Sequence, residues 1–140
     1  MHPPPVQAMM CGEHKGGRSG TKWVREPAMR IEGDGLLLRI FVDENDQHEG
    51  KPLYSAIVHR ARAEGLAGAT VLRGMMGFGS NSLIHVADKS GLVPDMPVVI
   101  EIVDREDHIK KFLPIVEKMV REGMVTVEKT HVIFHRTSKI

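Results

Sequence analysis

The chain repeats one order of elements, and this repetition limits the folds that it can form. The first copy begins with an apolar, β-favouring run at residues 36–42, followed by apolar residues at helical spacing from Leu53 to Ala61. Gly65 then ends the predicted helix, and a second strand runs from Ala69 to about Gly74 or Phe78. The first copy is therefore strand, amphipathic helix, strand.

The second copy has the same order. An apolar strand is predicted at residues 97–103, helically spaced apolar residues follow at 109–120, and Gly123 ends the helix before a strand at 125–134. The order β-α-β, loop, β-α-β predicts an α+β, ferredoxin-like βαββαβ fold. That fold is a four-stranded antiparallel sheet with two helices on one face. The other face would expose apolar side chains, so we predict an oligomer.

Three local features are predicted within the second copy. Asp104 is placed to cap the second helix, and Asp107 follows three residues later, as in a capping box. Pro114 lies within the apolar stripe and is expected to kink the helix. The apolar alternation of the last strand changes phase, which predicts a bulge or break around residues 128–130.

Residues 1–34 differ from the rest of the chain. Proline and glycine clusters at residues 3–5 and 16–20 interrupt any apolar period, so we predict a flexible N-terminal extension before one domain at 35–140. The composition, 41% hydrophobic and 26% charged, is that of a globular protein. A net charge of +1 and 4% aromatic residues argue against a nucleic-acid or membrane-surface partner.

The single cysteine, Cys11, excludes an internal disulfide and fits a reducing cytosol. The sequence has neither an apolar run long enough to span a membrane nor an apolar secretory segment at its start. We therefore expect a cytoplasmic protein without membrane insertion.

A glycine-rich turn follows the second predicted strand. Gly74, Gly77 and Gly79 are expected to adopt positive φ or to admit a closely approaching group, and Arg73 places a positive charge beside them. This segment is either an anion-binding edge or a sheet hairpin. Because no helix begins after it, it is neither a P-loop nor a dinucleotide fingerprint.

Residues 79–95 form a long connection, and connections of this length are usually functional or mobile. Its first polar residues are Ser80, Asn81, Ser82 and His85. Catalysis by this segment has little support, because no spacing provides an oriented base and an oxyanion hole. We therefore predict no enzymatic activity.

Several blocks of the sequence together resemble the DUF190 family, which is related to the P-II signalling proteins, and the resemblance covers residues 36–136. The blocks are Gly50-Lys51-Pro52-Leu53-Tyr54, the segment from Gly65 to Gly79 with its Arg-Gly-x-x-Gly-Phe-Gly sequence, the strand from Asp95 to Asp104, and the strand from Val125 to Phe134. The resemblance implies a trimer whose sheets face inward. It also implies an adenine nucleotide in the cleft between subunits and a loop that contacts a protein partner. The candidate contacts in that loop are Ser80, Asn81, Ser82 and His85.

Carried over residue by residue, the resemblance implies a nucleotide site. Its members are Gly68, Thr70, Arg73, Gly74, Gly77, Phe78, Gly79 and Glu101. Glu101 has the alternative of pairing with a cation at a subunit contact, and Arg136 and Lys139 are candidates to reach the cleft from a neighbour. P-II proteins have a glycine- and lysine-rich phosphate loop where this chain has only Arg121–Met124. This difference favours AMP or ADP over ATP.

Two other classes of function remain as alternatives. One is a ligand-independent trimer that binds a transporter or an enzyme through the 79–95 loop. The other is a divalent-metal-binding protein, as implied by the related CutA trimers. Against an intrinsic metal site, His131 and His135 would lie roughly 13 Å apart on a regular strand. Cys11 and His14 would provide only two ligands.

Overall fold

The computed structural model describes residues 31–80, 83–87 and 95–137. The elements, in chain order, are β1 (Ile31–Asp43), β2 (Gln47–His48), β3 (Lys51–Pro52), α1 (Leu53–Ala63), β4 (Thr70–Arg73), β5 (Met76–Gly77), β6 (His85–Val86), β7 (Pro97–Asp104), α2 (Glu106–Met119) and β8 (Met124–His135). No helix in these ranges is long and apolar enough to cross a membrane.

The main sheet has four strands in the order β4-β7-β1-β8. Each neighbouring pair is antiparallel, with β1 and β7 at the centre and β4 and β8 at the edges. Each helix connects a central strand to an edge strand. This topology confirms the predicted ferredoxin-like α+β fold with two helices and a four-stranded antiparallel sheet.

The core lies between the sheet and the helices. In β1, Leu36, Leu38, Ile40 and Val42 are buried, while the residues between them point to the other face. The helices contribute apolar side chains at helical spacing. These are Leu53, Ile57 and Ala61 from α1, and Ile109, Phe112, Val116 and Met119 from α2. The stripes predicted from the sequence are therefore core.

The C-terminus of α1 confirms the predicted role of Gly65. Gly65 has φ +77°, its N–H donates to the carbonyl of Arg62, and the N–H of Leu66 donates to the carbonyl of Ala61. This pair of bonds is a Schellman motif, which needs a residue in the left-handed region after the helix. The motif turns the chain towards β4.

Two predictions about the strands are wrong. Strand β1 begins at Ile31, so residues 31–34 belong to the sheet and not to an N-terminal extension, whose remaining residues 1–30 lie outside the described ranges. The predicted bulge or break at 128–130 is also wrong, because β8 pairs with β1 in one continuous register from Met124 to Val132. The register shift lies nearer the strand end, between the pairs Ile31–His135 and Gly33–Val132.

Two predictions concern α2. Its N-cap is Arg105, without a side-chain capping bond, so the prediction that Asp104 caps the helix is wrong. Asp104 is the last residue of β7 and is fully buried. Pro114 lies inside α2, as its position in the sequence requires, and the helix runs on to Met119.

The Asp104 carboxylate joins three segments instead of capping one. Oδ2 accepts the N–H of Ala67, 2.8 Å away, from the connection between α1 and β4. Oδ1 accepts the N–H of Arg105 at 2.6 Å and lies 3.0 Å from Nδ1 of His108 on α2. Since no part of this residue is exposed, the bonds replace hydration that the carboxylate lost on folding.

The described residues between β4 and β7 include a short hairpin. Strand β6 pairs with β5, with Gly77 opposite His85, and the N–H of Ala87 donates to the carbonyl of Met75. We call residues 75–87 the ribbon. The predicted 79–95 connection therefore includes the second strand of a hairpin that begins before it.

The buried carboxylate gives the first testable prediction. Asp104→Ala removes the acceptor for the Ala67 N–H and should lower the free energy of unfolding by about 3 kcal/mol. Asp107→Ala is the matched control, because Asp107 is exposed and its ion pairs, with Arg105 and with the His108 ring, are at the surface; it should cost much less than Asp104→Ala. Urea denaturation measures both values, and equal losses would contradict the role of Asp104.

Candidate functional site

A cleft of about 470 Å³ lies at the end of the sheet where the ribbon begins. Its walls come from the end of β1 (Phe41–Asp43), the ribbon residues directly after β5 (Phe78–Ser80) and the connection from α2 into β8 (Glu122–Met124). Asp46, Pro97 and Val98 complete the lining. We call it the sheet-end cleft.

Strand register brings these segments together. Phe41 is paired with Met124 on β8, and Asp43 is paired with Pro97 on β7. The end of one central strand and the starts of its two neighbours therefore meet at one edge. Ligand sites commonly occupy such concave strand ends, and the volume lies within the range of small-molecule sites.

Gly74 and Gly77 leave room for the ring of Pro97 to pack closely. The Gly74 N–H donates to the Pro97 carbonyl at 2.7 Å, and a Cβ added to Gly74 would lie 2.7 Å from Cγ of Pro97. At Gly77 the same distance would be 3.1 Å. The predicted close approach is confirmed for these two glycines, and the approaching group is the proline ring.

The expectation of positive φ in this turn is wrong. Within the described ranges, the glycines with positive φ are Gly33, Gly50, Gly65 and Gly123, and not Gly74, Gly77 or Gly79. The turn needs small residues for space rather than for left-handed backbone. At Gly79 an added Cβ would make only ordinary contact with the Asp43 carboxylate, at 3.9 Å.

Arg73 is close to the cleft but is held away from it. Its Nε donates to Oε2 of Glu44 at 3.1 Å, and the two side chains are 44% and 31% exposed. An ion pair with this exposure contributes about 1 kcal/mol or less, so a bound anion can compete for the guanidinium. Arg73 does not line the cleft in the single chain.

The predicted nucleotide residues fall in two places. Phe78 and Gly79 line the sheet-end cleft, whereas Thr70 and Glu101 are cross-strand partners further along β4 and β7. Glu101 is four residues from Pro97, roughly 13 Å along the strand. Gly68 precedes β4 at the same end as Thr70. One chain does not bring the whole predicted set together.

Glu101 has a partner within the chain. It accepts from Nε of Arg39 at 3.0 Å, and the other side of Arg39 lies 3.4 Å from Glu128. These three side chains cross the sheet face that the helices leave uncovered. Around them are exposed apolar side chains: Phe41, Leu72, Val103 and Met124. We call this surface the open sheet face.

The sheet-end cleft is acidic. Asp43, Asp46 and Glu122 line it, and among its lining residues there is no lysine or arginine. Burial raises the pKa of Asp43 from its ordinary value of 3.8, and the charges of Asp95, Asp46 and Glu122 raise it further against the opposing effect of His85. A multiply charged phosphate therefore meets repulsion from this chain.

The ribbon carries the predicted partner contacts and an apolar surface. Ser80 lines the cleft and His85 lies in β6, whereas Asn81 and Ser82 lie outside the described residues. The sequence of residues 75–87 contains no lysine, arginine, aspartate or glutamate. Exposed side chains along it are Met75, Met76, Phe78, Leu83, Ile84 and Val86.

The remaining candidates lie elsewhere. Arg136 stacks on Phe134, with its guanidinium carbon 4.4 Å from the ring centroid, while Lys139, Cys11 and His14 lie outside the described residues. His131 pairs with Asp34 at 3.2 Å. Across the ranges that the structure covers, no three His, Cys, Asp or Glu side chains are grouped to hold a metal ion.

Sequence reasoning missed the acidic wall and Pro97. In the sequence, Asp43 and Asp46 are only polar residues after the first predicted strand, and Glu122 lies within the Arg121–Met124 connection that differs from the phosphate loop. Only part of the information needed to find the acidic wall is present in the sequence. Each acid follows or precedes a predicted strand, but their meeting depends on register, which the sequence does not give.

Comparisons with known proteins agree on one family. The model of the DUF190 family, described as "Uncharacterized ACR, COG1993", matches residues 35–132. A UPF0166 protein of Aquifex aeolicus (strain VF5) is 42% identical over 98 residues, which are 70% of this chain and 92% of that protein. A UPF0166 protein of Methanocaldococcus jannaschii is 33% identical over 97 residues, 69% of this chain and 89% of the relative.

Among solved structures, the chain is similar to CPII from Thiomonas intermedia K12, a nitrogen regulatory PII-like protein bound to ADP, AMP and bicarbonate. The TM-score is 0.49 at 17% identity, covering 76% of this chain and 92% of CPII. A second CPII structure, bound to ADP and bicarbonate, has a TM-score of 0.45.

The packing of Gly74 against Pro97 gives a second prediction. Gly74→Ala places a methyl group against the proline ring and should lower the free energy of unfolding by about 1–3 kcal/mol. Gly68→Ala is the matched control, since its added Cβ meets nothing within 4 Å; it should leave stability unchanged or slightly higher. Chemical denaturation checks the difference, and a harmless Gly74→Ala would contradict the close approach.

The acidic wall gives a third prediction. Because the pKa of Asp43 is raised in the folded chain, its ionisation opposes folding, and this cost grows as the pH rises above 3.8. Asp43→Asn should therefore raise the melting temperature at pH 7, by the equivalent of about 1 kcal/mol or less because the group is largely hydrated.

The pH profile provides the control for Asp43→Asn. The difference from the unmodified protein should shrink as the pH falls towards 3.8, because the native carboxyl, with its raised pKa, becomes protonated in the folded chain as well. Glu117→Gln removes an exposed carboxylate outside the cleft and should show no such convergence. A stabilisation that is independent of pH would refute the role of Asp43 ionisation.

Proposed function

The chain belongs to the DUF190 family, and from this premise we propose that it is a P-II-like trimeric regulatory protein. It binds an adenine nucleotide in a cleft between subunits and reports the bound state to a partner protein through residues 79–95. Membership of the family supports the class of protein, because the family resembles P-II proteins in sequence. The geometry of this chain supports the coupling between ligand and ribbon.

The proposal depends on one observation, which is that residues of the cleft wall also belong to the ribbon. Phe78, Gly79 and Ser80 form one wall of the sheet-end cleft, and they also follow directly after β5, the first strand of the ribbon. A ligand that contacts this wall has a different affinity for each ribbon position. Such differential affinity is the condition for a ligand to shift a conformational equilibrium.

The charge of the cleft favours a nucleotide with few phosphates. The adenine and ribose fit a lining that includes Phe41, Phe78 and Met124, whereas each phosphate adds negative charge beside Asp43 and Glu122. Cations must then come from beyond the lining. Arg73, held only by a surface ion pair, and Arg136 of a neighbouring subunit are the proposed sources.

The open sheet face supports the trimer. It exposes apolar side chains next to an arginine that is already paired with Glu101 and Glu128. Burying this face removes apolar surface from water without leaving the Arg39 guanidinium unpaired. A trimer with inward-facing sheets also places Thr70 and Glu101 of one subunit near its neighbours.

The second candidate is a trimer that binds its partner through the ribbon without any ligand. It is favoured by the apolar side chains exposed along the ribbon, which are available for contact in the ligand-free chain. The two candidates differ in one result. Capture of the partner that is equally strong with and without nucleotide would support the ligand-independent protein.

A nucleotide panel gives the fourth prediction. AMP and ADP should raise the melting temperature of the full chain at millimolar concentrations, ATP should raise it less, and the effect should saturate. Sedimentation of the same samples should give the mass of three chains. If AMP, ADP, ATP and cyclic nucleotides all leave the melting temperature unchanged, the protein has no adenine ligand.

A charge variant locates the ligand. Glu122→Gln removes one acidic group from the cleft and should raise the affinity for ATP by about threefold to tenfold, more than that for AMP. Glu117→Gln makes the same chemical change outside the cleft and should alter neither affinity. Equal effects of the two variants would place the nucleotide elsewhere.

A further inference from the structure

We propose a second binding site on the helix side of the molecule, for a small organic anion that carries a phosphate or carboxylate group on an apolar body. The site is a groove of about 590 Å³ between α1 and α2, closed at one end by the hairpin of β2 and β3. We call it the helix groove. It shares no lining residue with the sheet-end cleft.

Helical spacing builds the long walls of the groove. Ala56, His59, Arg60 and Ala63 recur every three or four residues and therefore lie on one side of α1. On α2, Ile115, Lys118 and Met119 provide the facing wall. The volume lies within the range of about 300–1,000 Å³ found for small-molecule sites.

The rim of the groove is cationic. Lys51, Arg60 and Lys118 line it, and Glu49 is the only carboxylate among the lining residues that the structure describes. Because Glu64, just outside the lining, is paired with Arg60, the two lysines and Glu49 leave a local excess of one positive charge, opposite in sign to the sheet-end cleft. A concave surface lined by one sign of charge concentrates ligands of the other sign.

The lysines are available for a ligand. Within residues 31–80, 83–87 and 95–137, neither Lys51 nor Lys118 forms an ion pair with a carboxylate. Arg60 donates its Nε to Glu64 at 2.8 Å, which fixes the guanidinium beside the groove. The amines are thus free to contact an anion, and the arginine is positioned to assist them.

The floor of the groove is apolar. Ala56, Ala63, Ile115 and Met119 lie between the charged residues of the rim. An inorganic ion would leave this floor in contact with water, whereas an anion with an aromatic or aliphatic body would cover it. The lining therefore favours an organic anion over a free phosphate ion.

The hairpin adds a strained residue at the end of the groove. Glu49 has φ +50° and Gly50 has φ +75°, and together they form the turn between the paired residues His48 and Lys51. Turns of this type usually contain asparagine or glycine at both positions, so a glutamate here adopts an unusual backbone conformation. The turn directs Lys51 and Glu49 to the same groove.

A histidine in the groove has a defined tautomer. Nδ1 of His59 lies 2.8 Å from the carbonyl oxygen of Ser55, which can only accept, so Nδ1 carries the proton. Its Nε2 is then the remaining polar atom of the ring. Both helices lie on the side of the sheet opposite the open sheet face, so the groove stays accessible if that face is covered.

Pyridoxal 5′-phosphate is a suitable probe because it has an aromatic body, a phosphate and an aldehyde. The aldehyde condenses with a lysine amine to form an imine and water, and borohydride then reduces the imine to a stable secondary amine. Peptide mapping of the full chain should find Lys51 and Lys118 labelled about tenfold faster than Lys111, an exposed lysine of α2 outside the groove.

Competition and charge variants make the test specific. Inorganic pyrophosphate should protect Lys51 and Lys118 but not Lys111. Arg60→Gln should slow the labelling of both lysines about threefold or more, Glu49→Gln should accelerate it, and Lys111→Gln should change neither rate. Uniform labelling, absence of protection, or charge variants without opposite effects would each overturn the proposal.

The helix groove and the nucleotide site can fail separately. The groove variants should leave the change in melting temperature caused by AMP unaltered, because they lie outside the sheet-end cleft. Conversely, a protein that ignores every nucleotide should still show preferential, pyrophosphate-sensitive labelling of the groove lysines.

Discussion

The buried carboxylate of Asp104 is the interaction on which the arrangement of the two halves depends. Its oxygens accept N–H groups from the end of the first α-β connection and from the start of α2, and the residue itself closes β7. Removing it would leave buried donors without partners. A single side chain thus fixes where both helices lie relative to a central strand.

The opposite end of β7 fixes the functional side of the molecule. Pro97 lies against Gly74 and pairs with Asp43, so it sets where β4 ends, where the ribbon departs and where the sheet-end cleft opens. One end of β7 therefore organises the fold, and the other end organises the site. Packing constrains Gly74 independently of any ligand, whereas Phe78 and Gly79 line the cleft itself.

The fold was predictable because its signals are local. Helical and strand periodicities identified both stripes, and Gly65 identified the end of α1 from its conformational freedom alone. The site was less predictable, since it is made where strands pair. Glu101 was alone in an apolar strand in the sequence, but register places it beside Arg39, and the acids of the cleft meet for the same reason.

Because the ribbon has no acidic residue, lysine or arginine, its contact with a partner depends on a different force from ligand binding. Both proposed ligand sites involve charge, so added salt screens their anions. Any contact made by the ribbon instead releases water from apolar surface, since residues 75–87 contain no lysine, arginine, aspartate or glutamate. Excluded salts such as sulfate strengthen apolar contacts. Ionic conditions therefore act on ligand capture and on partner contact in opposite directions.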